Sequence, residues 1–341
     1  MNIRQSCLCT AKSLGLLLLI VAAMGWTMAN AAVTCVNNSL GLAAALIAAQ
    51  DNGDDDFIEL EVGTYDLGGD LEYNAVPSET YDLAISGRWA PGCDVRATAG
   101  SSVLDGQNSA RPLTISANGG VSIFGLTFQN GNPAQYAGGA LNVSAPVGTY
   151  VQIDNNIFAA NRAATNQGGA IYVSSPGTIL MRDNLFFGNQ GTNTIYLNND
   201  GEADLNNNTI VGNLLANHAG LGALDLAGSG TYNISNNLLW GNEGNDLYDQ
   251  SGLANFYNND IGVRDGLAPA SESNDLSVDP QFSGILSVRP GLESPLINAG
   301  LDTPPLGGIG ILDLAFGERL VGQHVDIGAY ESEVLFTNGF Q

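Results

Sequence analysis

The chain has 341 residues, 44 of them glycine and only 13% charged, with 34 acids against 10 lysines and arginines. A chain this acidic offers no basic face to neutralise phosphates, which excludes nucleic-acid binding, and it disfavours polyanions such as pectate or alginate unless cations bridge the two. An apolar content of 44% argues against a disordered acidic tail and for a folded, turn-rich protein.

Arg4 and Lys12 precede an apolar run over residues 14–28, which ends in Ala29-Asn30-Ala31, a small-x-small cleavage site. Residues 1–31 therefore read as a secretory signal peptide cut after Ala31. The run is short for a membrane span and is broken by Gly25, so an integral membrane protein is not expected. Removal of residues 1–31 leaves 8 arginines against 34 acids, a net charge of −26, and no lysine. Cys35 and Cys93 remain, and an exported protein is expected to join them. Closing that loop stabilises by about 4 kcal/mol in the chain-entropy model. Residues 40–50 read as a helix with Ser39 as N-cap, just ahead of the strand Phe57-Ile58-Glu59-Leu60. Residues 32–110 are thus expected to form a capping helix and the first coils of a repeat.

One block then recurs as Asn-apolar-apolar-x-small-Asn, at Asn156–Asn161, Asn184–Asn189, Asn208–Asn213 and Asn237–Asn242. A degenerate copy starts at Asn259, so the steps are 28, 24, 29 and 22 residues. Between the copies lie Gly138-Gly139-Ala140-Leu141, Gly168-Gly169-Ala170-Ile171 and Leu221-Gly222-Ala223-Leu224. A third short strand leads into each Asn block, with Ile153, Met181, Leu205, Ile234 and Phe256 in one apolar column. Each unit of 22–30 residues holds three alternating strands separated by turns. One unit cannot bury its apolar face alone, so units must stack. The pattern predicts an all-β fold: a parallel β-helix of roughly ten coils in all, on the order of 45 Å long, with its repeats over residues 111–264 after the first coils in 32–110. Asn156, Asn184, Asn208 and Asn237, with Asn161, Asn189, Asn213 and Asn242, suit corners in left-handed conformation and are expected to stack as amide ladders.

Candidate chemistry is sparse. Asp154, Asp183, Asp204 and Asp225 fall in consecutive coils, and Arg182 stacks beside Asp154, which reads as an ion pair between coils. Asp154, Arg182, Asp183 and Asp204 are the candidates for a lyase or hydrolase, but Asp154 and Asp183 differ by one residue in register. Asp200, Glu202 and Asp204 form an acidic loop that could hold Ca2+ without fitting a known calcium motif, as could Asp54-Asp55-Asp56. No other cofactor is expected. His218 reads as a turn residue and His324 as structural. Tyr172 and Tyr196 share an outward column with Asn142 and Asp225. With Tyr232 in a neighbouring coil, they suit sugar stacking or plain cross-strand packing.

From about residue 265 the repeat fades into a proline-rich stretch, a different module over 265–332. The Gly-Gly-Ala-Ile-Tyr and Asn-x-x-Phe-x-x-Asn blocks resemble the repeats of the polymorphic outer-membrane protein family and of secreted right-handed parallel β-helix proteins. The segments Asp279-Pro280-Gln281-Phe282, Ser294-Pro295-Leu296-Ile297-Asn298-Ala299-Gly300 and Asp326-Ile327-Gly328-Ala329-Tyr330-Glu331, with Asp313 and Arg319, resemble the choice-of-anchor Q domain. The resemblance implies a protein exported to, or released from, the cell surface, and no particular reaction. Residues 333–341 end in Phe336-Thr337-Asn338-Gly339-Phe340, which reads equally as an export or anchoring signal or as a last strand. The expectation is a right-handed parallel β-helix, monomeric and non-catalytic, that binds an extracellular glycan or a cell-surface protein through its side. The alternative is a carbohydrate-active enzyme acting on neutral or lightly charged glycans.

Overall fold

The computed structural model describes residues 32–332 apart from 134–135, 164–166, 216–220, 285–286 and 306–307. The expected signal peptide, the C-terminal tail and His218 lie outside the described residues. Three parallel sheets wrap one core in a right-handed solenoid. A typical coil runs Tyr150–Asp154 in the first sheet, Ile157–Ala159 in the second and Ile171–Ser175 in the third. The first sheet has ten strands and the others eight each, so eight coils, seven steps apart, contribute to all three. That is fewer than the roughly ten expected. A small fourth sheet pairs Gln190–Gly191 with Leu214–Leu215.

Alternation decides which side chains enter the core. The column Ile123, Ile153, Met181, Leu205, Ile234 and Phe256 is fully buried, as its apolar character requires. In the second sheet Phe128, Phe158 and Phe186 stack with centroids 4.8 Å apart and rings within 4° of parallel. That spacing is the distance between neighbouring strands, so each ring sits directly on the one before. Tyr232 also points inward and is fully buried, which corrects its placement with the outward tyrosines. Its strand neighbours are Ala203 and Ala254, whose small side chains leave room for the ring, while its hydroxyl accepts the Asn199 backbone N–H at 3.2 Å.

The asparagines form two buried ladders. In the first, the Asn184 Oδ1 accepts the Asn156 backbone N–H at 3.0 Å and the Asn156 amide at 3.2 Å. Asn208, Asn237 and Asn259 repeat the pattern down the rod, and Asp275 accepts from the last rung at 2.8 and 3.0 Å. Asn161, Asn189, Asn213 and Asn242 form the second, which also ends on a carboxylate, Asp246. The left-handed residue is not the rung itself, as the sequence suggested, but the one before it. Asn155, Asp183, Asn207, Asn236 and Asn258 have φ of 54–59° at the first corner. The rung must aim its amide inward along the stack, so its neighbour makes the bend.

The Gly-Gly-Ala blocks have a steric cause. A Cβ on Gly169 would sit 2.5 Å from the Gln190 carbonyl carbon and 2.8 Å from the Gly191 nitrogen, because the backbones of successive coils touch there.

The helix Ser39–Ala49 covers the N-terminal end. Its cap is Asn38, not Ser39: the Asn38 side chain accepts the Gly41 amide at 2.9 Å, while the Ser39 hydroxyl donates to the Asp66 carbonyl at 2.7 Å. Cys35 and Cys93 form the expected disulfide, with Cα atoms 5.8 Å apart. At the other end the Arg264 guanidinium lies 5.0 Å over the last core ring, Phe256, and pairs with Glu272 at 2.8 Å.

Regular pairing continues past 265, through Arg264–Gly266 and Ser271–Ser273. The segment 276–332 then turns back along the rod as a strap over the first corner and the second sheet. Its Leu296, Leu314, Ile327, Ala329 and Tyr330 cover the outward residues Leu185, Val211 and Leu238. The left-handed corner residues hold it. Asn155 donates to the Asp313 carbonyl at 2.9 Å, Asn207 to the Asp326 carbonyl at 3.0 Å, Asn236 to the Leu301 carbonyl and Asn258 to the Ala299 carbonyl, both at 2.9 Å.

Candidate ligand-binding face

The candidate acids do not converge. Asp154 and Arg182 are register partners on the outer face of the first sheet and form an ion pair, 2.5 Å between Asp154 Oδ2 and Arg182 Nη2. The Gln152 amide donates to the same carboxylate at 2.6 Å. Asp183, one residue further, turns to the corner and is buried under the strap, 3.2 Å from the Arg319 guanidinium. Arg319 also pairs with Glu331 at 3.2 Å and donates to the Asp326 and Gly328 carbonyls. Burial pushes the Asp183 carboxyl up and Arg319 opposes it. The residues of the C-terminal motif are therefore the parts of a buried polar lock between strap and solenoid. Ser294 and Asn298 belong to the same lock: the Ser294 hydroxyl donates to the Pro280 carbonyl, and the Asn298 backbone N–H donates to Asp326.

Asp204 lies on the first-sheet face beside Leu180 and Asn233, and burial pushes it up to about 6. Neither of its carboxylate oxygens makes a well-formed hydrogen bond among the described residues: the neighbouring Asn233 amide, which tempers the rise, donates to Glu202 at 3.2 Å. Asp200 is spent on its turn, accepting the Ser229 N–H and hydroxyl at 2.9 and 2.8 Å, and those bonds hold its carboxyl below the usual range. Among the described residues Asp200, Glu202 and Asp204 do not form a set of ligand atoms close enough for one ion. The set that does come together is Cys35, Cys93 and Glu61, whose sulfurs are joined in the disulfide. The exposed His324 ring faces Asp302 at 2.9 Å, tying strap to strap.

The third sheet offers the best-defined exposed surface. Asn142, Tyr172, Tyr196, Asp225, Tyr248 and Asp265 form one column on the side of the sheet away from the core, within which Asp225 is itself fully buried. Tyr172 and Tyr196 are half-buried and stack at 5.3 Å, 16° from parallel. Below them Asp225 accepts the Asn193 amide at 3.0 Å and the Gln250 amide at 2.6 Å. Burial raises its carboxyl to about 6. A parallel row of small polar residues, Ser144, Ser174 and Asn198, runs beside the rings. The face thus pairs a π-surface with hydroxyl and amide groups at the coil spacing. Tyr248 and the two amides on Asp225 escaped sequence reading. The column position of Tyr248 was readable from the repeat, whereas Asn193 and Gln250 reach Asp225 from loops.

The raised acids set the pH response. Asp204, Asp225 and Asp260 are pushed up to about 6 and Glu331 to about 7, each chiefly by burial. Between about pH 4 and these values the fold holds protons that the unfolded chain releases. Their stabilisation is complete below the unfolded values and is lost as pH rises through 6 to 7, on the order of 2–3 kcal/mol per group. Asp105 acts oppositely: despite its burial, hydrogen bonds from Gln107, Gln129 and Asn130 hold it low, so its contribution is lost on strong acidification. The melting temperature is expected to be higher at pH 5 than at pH 8. A rise from pH 5 to 8 contradicts these assignments.

These observations define the class: a right-handed parallel β-helix protein with a C-terminal strap. Residues 97–261 match the family described as "Right handed beta helix region". The match spans the chain from the second coil into the last. No curated protein matches the chain.

Proposed function

We propose that the protein is an exported, non-catalytic binding protein that holds an extracellular glycan on the third-sheet face. The Tyr172–Tyr196 stack carries this reading, because aromatic rings at coil spacing, flanked by Ser and Asn, match the apolar faces and hydroxyls of successive sugar rings. The Cys35–Cys93 bridge supports an oxidising compartment. The resemblance of the repeats to polymorphic outer-membrane proteins, and of the strap to the choice-of-anchor Q domain, supports display at the cell surface. The strap occupies the second-sheet side, which leaves the third sheet for a partner.

One observation favours the enzyme alternative. Asp225, raised to about 6 beside Tyr196, lies in the range of a general acid, although it is fully buried and both its oxygens accept amides, so it could act only after Asn193 or Gln250 moved aside. A glycan array with the purified chain separates the two readings. Binding of neutral glycans is expected to fall at least about tenfold in Tyr172→Ala and Tyr196→Ala, the loss of one stacking contact of ~1.5 kcal/mol or more each. Reducing ends or unsaturated products released from a bound glycan would sink the non-catalytic reading. Binding unchanged in both variants would move the site off this face.

A further inference from the structure

We propose a second, independent site, which takes a small organic monoanion with a flat apolar body, of the aromatic carboxylate class. It lies in the seam where the strap meets the second and third coils. A cavity of about 570 Å3 opens there, lined by Arg88, Arg96, Phe124, Leu312, Ala315 and Phe316. That volume is in the range of small-molecule sites.

The pairing of two arginines with aromatic rings in one cavity singles it out. In a chain with 34 acids, the two guanidiniums have no carboxylate within 4 Å among the described residues. Arg182, Arg264 and Arg319 are ion-paired, whereas Arg111, Arg162 and Arg289 share the lack of a paired carboxylate among the described residues, and Glu59 is the acid whose charge reaches Arg96. What sets Arg88 and Arg96 apart is that both line one cavity together with aromatic rings. The Arg88 guanidinium lies 3.9 Å over the Phe316 ring, and its side chain makes no hydrogen bond to a described residue. Arg96 lies 4.0 Å over Trp89 and 5.1 Å from the Phe124 ring, and donates to the Gly87 carbonyl. Phe124 and Phe316 meet edge to face at 5.8 Å. Two planar forks with free donors suit a carboxylate, and the rings and alanine wall suit the body attached to it.

The backbone is bent to build this arrangement. Arg88 and Phe316 both have left-handed φ, 63° and 66°, which bulky residues rarely adopt. Gly125 packs beside both with φ 70°, a conformation that favours glycine. Strain of this kind persists where the surroundings enforce it, and it clusters at ligand sites. Phe316, Leu312 and Ala315 come from the strap, so a ligand here bridges strap and solenoid.

Calorimetry on the purified chain tests the site, with trans-cinnamate as probe, cinnamamide as its neutral counterpart and acetate as the anion without a ring. Saturable binding of cinnamate is expected, at least about tenfold tighter than cinnamamide and absent for acetate. Arg88→Gln and Arg96→Gln are each expected to weaken cinnamate at least about tenfold. The comparison of ligands on the unaltered chain stands even if a variant fails to fold. No saturable binding at millimolar cinnamate overturns the proposal. So does equal affinity for the amide, or unchanged affinity in a double variant that melts like the parent.

Discussion

Asn184→Leu is expected to lower stability by about 4 kcal/mol, although the volume and the apolar surroundings suit leucine. Asn184 is fully buried and makes four ladder bonds. Its Oδ1 accepts the Asn156 N–H and amide, and its own amide donates to the Ile153 carbonyl at 2.7 Å and to Asn208 Oδ1 at 2.9 Å. Leucine removes all four and strands the Asn156 N–H and the Ile153 carbonyl away from water. Each buried orphan costs about 1–3 kcal/mol. The melting temperature should fall by about 10 °C. Asn184→Asp should be no better, since a carboxylate accepts from above but cannot donate onward. This explains why Asp246 and Asp275 stand at the ends of the ladders, where a rung has only to accept. Asn142→Leu, on the outward column of the third sheet, should change stability by less than about 1 kcal/mol. If thermal unfolding shows the two leucine variants alike, the ladder is not what holds the corner.

The second large effect is expected at Arg319. It is 1% exposed, and so is its partner Asp183. Arg319→Ala leaves Asp183 and Glu331 facing each other's surroundings without a cation, which costs about 3–5 kcal/mol for a buried pair broken on one side. It also removes the donor to the Asp326 and Gly328 carbonyls. The strap should loosen before the solenoid melts, so limited proteolysis is expected to cut within 276–332 while the coils survive. Replacing all three members, as in Asp183→Asn and Glu331→Gln with Arg319→Met, should cost less than Arg319→Ala alone, because the Asp183–Arg319–Glu331 cluster then holds no charge. An Arg319→Ala chain as resistant as the parent would show that the apolar contacts of Leu296, Leu314 and Ile327 hold the strap without the lock.

Much of this architecture is legible in the sequence. The Asn blocks fix the register, and register alone places Asp154 against Arg182, Tyr172 against Tyr196, and the five apolar residues from Ile153 to Phe256 inside. The disulfide follows from the cysteine count together with the expectation of export. The strap's position does not follow from any one repeat, but a signal exists. Ile157-Phe158, Leu185-Phe186 and Leu238-Leu239 are apolar on both sides of a strand, which a solvated face does not allow. The helix cap was missed because Asn38 and Ser39 are near equals in capping, and tertiary contact with Asp66 decides between them. Asp183 reads as a catalytic candidate until Arg319, far along the chain, is brought onto it. The arginine seam joins residues 88, 96, 124 and 316, and no local pattern links them.

The corner residues carry one more implication, about length. The ladders themselves set no limit: each rung asks only for another like it, so a coil could be duplicated or lost without offending its neighbours. The strap is not indifferent in this way. It meets Asn258 and Asn236 first and then Asn155, Asp183 and Asn207, each at a different strap residue, four through backbone carbonyls and Asp183 through the Arg319 guanidinium. It therefore works as a gauge laid along the rod, and in this protein a coil gained or lost between the fourth and the eighth would throw it out of step.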